Sequence, residues 1–136
     1  MTTLAEKHQN IIMGNITIIG FAKEAPIKNK LFAFVIAGTL SFRGYNIVAG
    51  NIVGTFCYAF CAAKIFGGKT LAMVDKDNME QPYCVDRLLY SPSVNKKHRQ
   101  VALLSSAAII VGGGDGSLHL AKEFIKQGKP IIAISD

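Results

Sequence analysis

The chain has 136 residues, half of them hydrophobic, with 15 Lys and Arg against 9 Asp and Glu and a formal charge of +6. This length suits one domain whose core needs no disulfide or metal staple, and the apolar content excludes a disordered chain. The positive balance favours anionic partners, while three cysteines and an opening MTTLAEKHQN, without a basic patch and apolar run, read as free thiols in a reduced, cytoplasmic compartment.

Residues 1–14 read as an N-terminal extension and 15–136 as a single domain. Asn15–Gly20 (NITIIG) predicts a first strand. Pro26 suits a helix start, and Ile27–Phe42 is predicted helical, stopping before Gly44. Its apolar run Leu31–Leu40 is ten residues long, too short to span a bilayer. No membrane partner is expected, and the run reads as a helix buried on most of its faces. Tyr45–Gly50 predicts a second strand, Val53–Phe66 a second helix closed by Gly67-Gly68, and Thr70–Asp75 a third strand. The polar stretch after it is irregular, with Arg87–Tyr90 the one place for a further short strand. A helix over about Val94–Leu104, a strand at Ala107–Gly112, a helix over Ser117–Gln127 and a strand at Pro130–Ser135 complete the series. The sequence stops just past that strand, so a covering helix is expected from a missing segment or a partner.

Apolar, β-branched runs of this kind fit parallel strands covered on both faces. Their alternation with helices implies right-handed crossovers. The expected class is α/β, a Rossmann-like three-layer fold with a central parallel sheet of about five strands.

In such sheets, ligands bind beyond the carboxyl ends of the strands. Three glycine-bearing turns fall there: Gly20 with Phe21, Ala22 and Lys23; Gly50, Asn51 and Gly54; and Gly112, Gly113, Gly114, Asp115, Gly116 and Ser117. Glycine serves tight turns without any ligand. Three such turns at one edge, each leading into a helix N-terminus with free N–H groups, point to a phosphate or nucleotide pocket. Ser117 is placed to cap its helix and to offer a hydroxyl to a phosphate. The pattern is neither the dinucleotide fingerprint nor a P-loop: the first turn reads GFAKEA, and Gly68-Lys69-Thr70 leads into a strand.

The stretch KHRQVALLSSAAIIVGGGDGSLHLAKEFIKQGKPIIAI, Lys97–Ile134, resembles the second half of the Rossmann-like domain of the DNA-processing (Smf-type) recombination mediators. Upstream, NITIIGFAKEA and YNIVAGNIVGTFCYAFCAAKIFGGKTLAMVD resemble that family's first units. The superfamily, SLOG, also holds the cytokinin-activating phosphoribohydrolases, whose P-G-G-x-G-T-x-x-E motif is similar to Gly112–Leu120. The resemblance implies that Lys97 and Arg99, the cationic ends of an R-N-R motif, grip phosphate. It also implies self-association, so a homo-oligomer is expected.

The departures matter as much. Leu120 stands where the phosphoribohydrolases carry the Glu used in cleaving the N-glycosidic bond, and leucine supplies neither acid nor base. Phe21-Ala22 replaces the mediators' Ser-Arg, and Gly54-Thr55-Phe56 their Gly-Ile-Asp. A DNA-binding accessory domain is not expected within these residues. The expectation is therefore a non-catalytic protein that binds a nucleotide or the phosphates of single-stranded nucleic acid, with no cofactor and no metal. The alternative is a phosphoribohydrolase acting on a free nucleotide, with His119 as an unconventional group, and a third reading is a scaffold with a vestigial pocket.

The remaining candidates read more simply. His119, early in a helix, fits a surface or capping residue. Cys57 and Cys61 share a helix face without supporting ligands and read as buried small side chains, and no base accompanies Cys84. Asp75, Asp77, Glu80 and Asp86 read as a solvated loop. Asp115 serves equally to hold the turn or to accept from a ribose. Phe21 alone of the phenylalanines sits at the ligand edge, where a base would stack.

Overall fold

The computed structural model describes residues 14–76 and 80–134. Strands β1 (Asn15–Ile19), β2 (Asn46–Ala49), β3 (Thr70–Val74), β4 (Arg87–Tyr90), β5 (Ala107–Ile110) and β6 (Ile131–Ala133) form one sheet in the order β4-β3-β2-β1-β5-β6. All five pairings are parallel. Helices α1 (Ile27–Phe42), α2 (Thr55–Ile65), α3 (Val94–Leu104) and α4 (Asp115–Lys126) connect the strands. The chain winds outward from β1 in one direction, then returns to lay β5 on its other side. That reversal between β1 and β5 is a topological switch point.

The core lies in two layers. On one side Ala33 and Ala37 of α1 and Phe56, Ala59, Phe60 and Ala63 of α2 pack on Ile18, Ile47 and Ala72 of the sheet. On the other, Val101 and Ala102 of α3 and Leu120, Ala121 and Phe124 of α4 pack on Ile19, Val48, Met73 and Ala108. Adjacent residues of the inner strands thus face opposite layers, which is why these strands are apolar throughout rather than alternating. Lys129 donates to the carbonyls of Ala102 and Leu103 at the C-terminal end of α3, where a cation suits the helix dipole.

The further short strand expected at Arg87–Tyr90 is present and pairs with β3, which brings the sheet to six strands. It is an edge strand with Arg87 and Tyr90 exposed, so its sequence lacks the unbroken apolar character of the others. Asp86 anchors it, accepting from the Thr70 backbone at 2.9 Å and from Lys64 at 2.8 Å. Helix α1 is not buried on most of its faces. Its buried residues are the small Ala33, Ala37, Gly38 and Ser41, which let it approach α2 closely: a Cβ on Gly38 would lie 2.9 Å from the Phe66 ring. A neighbouring stripe, Ile27, Leu31, Val35 and Phe42, is 53–73% exposed. No helix among the described residues is long and apolar enough to cross a membrane.

Phe124 is fully buried at the centre of the α3–α4 layer. Phe124→Ala should cost about 3–5 kcal/mol of folding stability, measured by urea denaturation.

Candidate functional site

A cleft of about 310 Å³ opens at the carboxyl edge of the sheet. It is lined by Gly20, Phe21 and Ala22 after β1, Gly50 and Asn51 after β2, Phe56 of α2, Val94, Lys97 and His98 of α3, and Gly114, Gly116, Ser117 and Leu120 of the β5–α4 unit, with Ile19 at its floor. The structure therefore gathers the three glycine turns at the switch point.

The glycines divide by what a side chain would meet. Gly54 has φ +62°, and a Cβ there would fall 1.8 Å from the Ala22 carbonyl oxygen. Beside it the Thr55 N–H donates to the Phe21 carbonyl at 3.1 Å. Gly112, at φ +125°, leaves room for the Phe21 ring and for Asn29, whose amide donates to the Val111 carbonyl. Gly113, at φ +131°, leaves room for Ser117, and Gly20 for Thr55 and Val111. These four serve the fold. Gly114 and Gly116 differ: both line the cleft, and a Cβ on either would meet nothing within 4 Å. Gly116 sits in the first turn of α4, where alanine would favour the helix. Neither packing nor a positive φ calls for glycine at these two positions; bare backbone there leaves space for a ligand.

The helix ends differ in the same way. Ser93 caps α3, its side chain accepting from the Lys96 N–H. At α2 the first N–H groups are taken by the Phe21 and Val53 carbonyls. Helix α4 starts at Asp115, two residues earlier than the sequence indicated, with Gly114 as its N-cap and no side-chain cap bond. Its first intrahelical bond runs from Leu118 N–H to Gly114 carbonyl at 3.1 Å, which leaves the preceding N–H groups without an intrahelical partner. Ser117 does not cap the helix; its hydroxyl donates to the Gly20 carbonyl at 3.2 Å and ties the first turn to the third.

Opposite α4 stands Lys97, only 7% exposed. Its ammonium donates to the Gly50 carbonyl at 3.0 Å and lies 3.8 Å from Asp75. Burial pushes its pKa below the ordinary lysine value, and Asp75 only partly opposes this. A desolvated cation with one carboxylate at that distance gains from any anion that enters the cleft. His98 is also buried, and its Nδ1 meets Nδ1 of His119 at 2.6 Å. Burial first, then the charges of Lys97 and His119, push His98 down to about 4, against the opposing pull of Asp75 and Glu123.

No protein-family model matches the chain, and no curated protein sequence matches it significantly. Solved structures do match. A molybdenum cofactor binding protein from the phototrophic bacterium Rippkaea orientalis superposes with TM-score 0.83 at 23% identity, over 90% of this chain and 77% of that one. The molybdenum cofactor carrier protein of Chlamydomonas reinhardtii gives 0.81 at 21%, over 88% and 75%. DNA processing protein A from Helicobacter pylori gives 0.71 at 20%, over 96% and 68%. The fold that the resemblance implied is the fold present: a Rossmann-like domain of the type in DNA processing protein A.

Several expected residues lie outside the cleft lining. Arg99 is exposed, because two residues along a helix is about 200° of rotation from Lys97. Lys23 and Asp115 are exposed as well; Asp115 sits at the positive end of the α4 dipole. His98 was missed, although Lys97 and His98 each stand four residues before an apolar partner, Val101 and Ala102. That spacing marks both as facing inward. His119 is exposed, as expected of a surface residue, but it is not alone: it is the partner of His98. Cys57 is exposed rather than buried, and Cys61 lies 2.9 Å from Cys84. Burial, with Cys84 and Cys57 beside it, pushes Cys61 up to about 12, so it remains a thiol. Asp77 lies outside the described residues. Among the described residues no three His, Cys, Asp or Glu side chains gather to hold a metal.

The division of glycines is testable by stability. Gly54→Ala should destabilise the fold by at least 2 kcal/mol, roughly the cost of a strained backbone position. Gly116→Ala should leave stability unchanged or raise it by about 0.5–1 kcal/mol. Chemical denaturation of the two variants distinguishes them.

Proposed function

We propose that the cleft binds the phosphate of a small nucleotide-like molecule and cleaves no bond in it. The observation that carries this reading is the pairing of bare backbone at Gly114 and Gly116, on the uncapped N-terminus of α4, with the buried ammonium of Lys97. Helix N–H groups and dipole favour an anion, and Lys97 supplies the formal charge. Asn51 and the Phe21 ring line the same cleft and suit a sugar or base beyond the phosphate.

Size supports a small molecule over a nucleic-acid strand. A cleft of about 310 Å³ lies within the range of small-molecule sites, whereas a strand needs a basic groove with successive stacking platforms. The similar structures include proteins described as binding or carrying a molybdenum cofactor and one described as binding single-stranded DNA, so holding rather than converting a ligand is compatible with this fold. Leu120 supports the same conclusion: buried and lining the cleft, it offers no proton where the phosphoribohydrolases have Glu. A cytoplasmic setting and self-association belong to the proposal. The exposed stripe Ile27, Leu31, Val35 and Phe42 gives a second copy an apolar helix face to cover.

Thermal unfolding against AMP, ADP-ribose, NAD, cyclic nucleotides and oligo-dT at two salt concentrations tests the reading. One small nucleotide at about a hundredfold its Kd should raise Tm by roughly 5–10 °C, with little salt dependence and no released base. Lys97→Ala and Gly116→Ala should lose the shift, and Arg99→Ala should keep it. A salt-sensitive shift with oligo-dT alone would transfer the site to nucleic acid. For self-association, light scattering should give a larger mass for the wild type than for Val35→Glu.

A further inference from the structure

The cleft holds a second ionisable group that the binding reading leaves unused. His98 lines the cleft next to Lys97, and its Nδ1 is bonded to Nδ1 of His119 at 2.6 Å. The rings tilt at 45° with centroids 4.8 Å apart. Such a bond has one proton between two nitrogens: one ring donates and the other accepts. Two imidazoliums would place two protons there and break it. The pair therefore takes up one further proton and no more, on an outer Nε2, while the bond stands.

We propose that the His98–His119 pair makes anion capture in this cleft proton-linked: the pair takes up one proton when a phosphate-like dianion enters. This rests on the binding reading given above. Four charged or titratable groups act on His98, its partner His119 among them. Lys97 on α3 and His119 on α4 oppose a proton on His98, and Asp75 after β3 and Glu123 on α4 favour it. In the empty cleft the first set and burial prevail, and His98 stays neutral to about pH 4. A dianion lying against Lys97 changes that balance. It offsets the Lys97 charge and attracts a second positive centre, so the proton becomes favourable where the ligand sits. By linkage, the bound ligand and the proton strengthen each other. Nε2–H of His98 would then be a charge-assisted donor beside the Lys97 ammonium. The outcome is a site that tightens as the surroundings acidify and loosens as they turn alkaline.

Sulfate is the suitable probe, because it stays a dianion where a phosphate monoester titrates. Its affinity should be measured by calorimetry from about pH 7.5 to 5.5. Wild-type affinity should rise about fivefold across the window through linkage, and the rise should be lost in His98→Gln. The His98 imidazole, followed by NMR in the wild type, should titrate near 4 in free protein and at clearly higher pH with saturating sulfate. An equally steep profile in His98→Gln, or a His98 titration that sulfate leaves in place, overturns the proton linkage while the phosphate reading stands. Sulfate binding that Lys97→Ala leaves intact, or none at any pH, overturns both.

Discussion

The site depends on how closely three loops approach one another. At Gly54 the backbone comes so near the Ala22 carbonyl that a Cβ would lie 1.8 Å from the oxygen. At Gly112 and Gly113 the third turn closes over Phe21 and Ser117 in the same manner. The loops after β1, β2 and β5 are therefore stitched together, by the Thr55 N–H to the Phe21 carbonyl and by the Ser117 hydroxyl to the Gly20 carbonyl. Once these contacts use the room of four glycines, the backbone at Gly114 and Gly116 is what remains open. The fold's tight packing and the bare backbone in the cleft lining are two consequences of one glycine-rich sequence.

Charge is the second constraint. Lys97 is buried with its carboxylate partner 3.8 Å away, His98 is buried as the neutral imidazole, and α4 turns the positive end of its dipole to the same space. Each arrangement costs stability in the empty protein, since desolvated charge and uncapped N–H groups lose water without gaining a full partner. Such costs concentrate where a ligand offsets them. The opposite side of the domain is different in kind: Asp86, Lys64 and Thr70 satisfy one another. There burial alone would raise Asp86, yet its donors bring it below the ordinary carboxylate value.

The sheet was legible because parallel strands covered on both faces must be apolar throughout, and five segments of this chain are. Arg87–Tyr90 was hard to read because an edge strand needs no such run. The glycine turns were legible as a group, but not their division of labour. Whether a glycine serves φ, packing or a ligand depends on which atoms stand opposite, and sequence does not place Ala22 against Gly54. Lys97 was assigned through a family motif that also put Arg99 in the site. Helix phase separates them, since Val101 and Ala102 fix the inward face of α3 and leave Arg99 on the outside. The same phase would have revealed His98. Its partner was beyond reach, because nothing local to His119 shows that α3 and α4 pack side by side.

Non-catalytic binding and the two histidines belong to one argument. An enzyme of this architecture needs a group that exchanges a proton with the substrate at the reacting bond. Leu120 holds the position at which the similar phosphoribohydrolase motif has Glu, and it is packed into the core layer of α4. His98, which lines the cleft from α3 beside Lys97, is bonded to another histidine. A proton held in that pair acts on the affinity of whatever lies against Lys97, because charge acts through a few ångströms of desolvated space. It does not act on bond order. On the proposed reading, leucine in place of a carboxylate and an imidazole pair beside Lys97 go together: the proton serves the affinity for a ligand rather than cleavage.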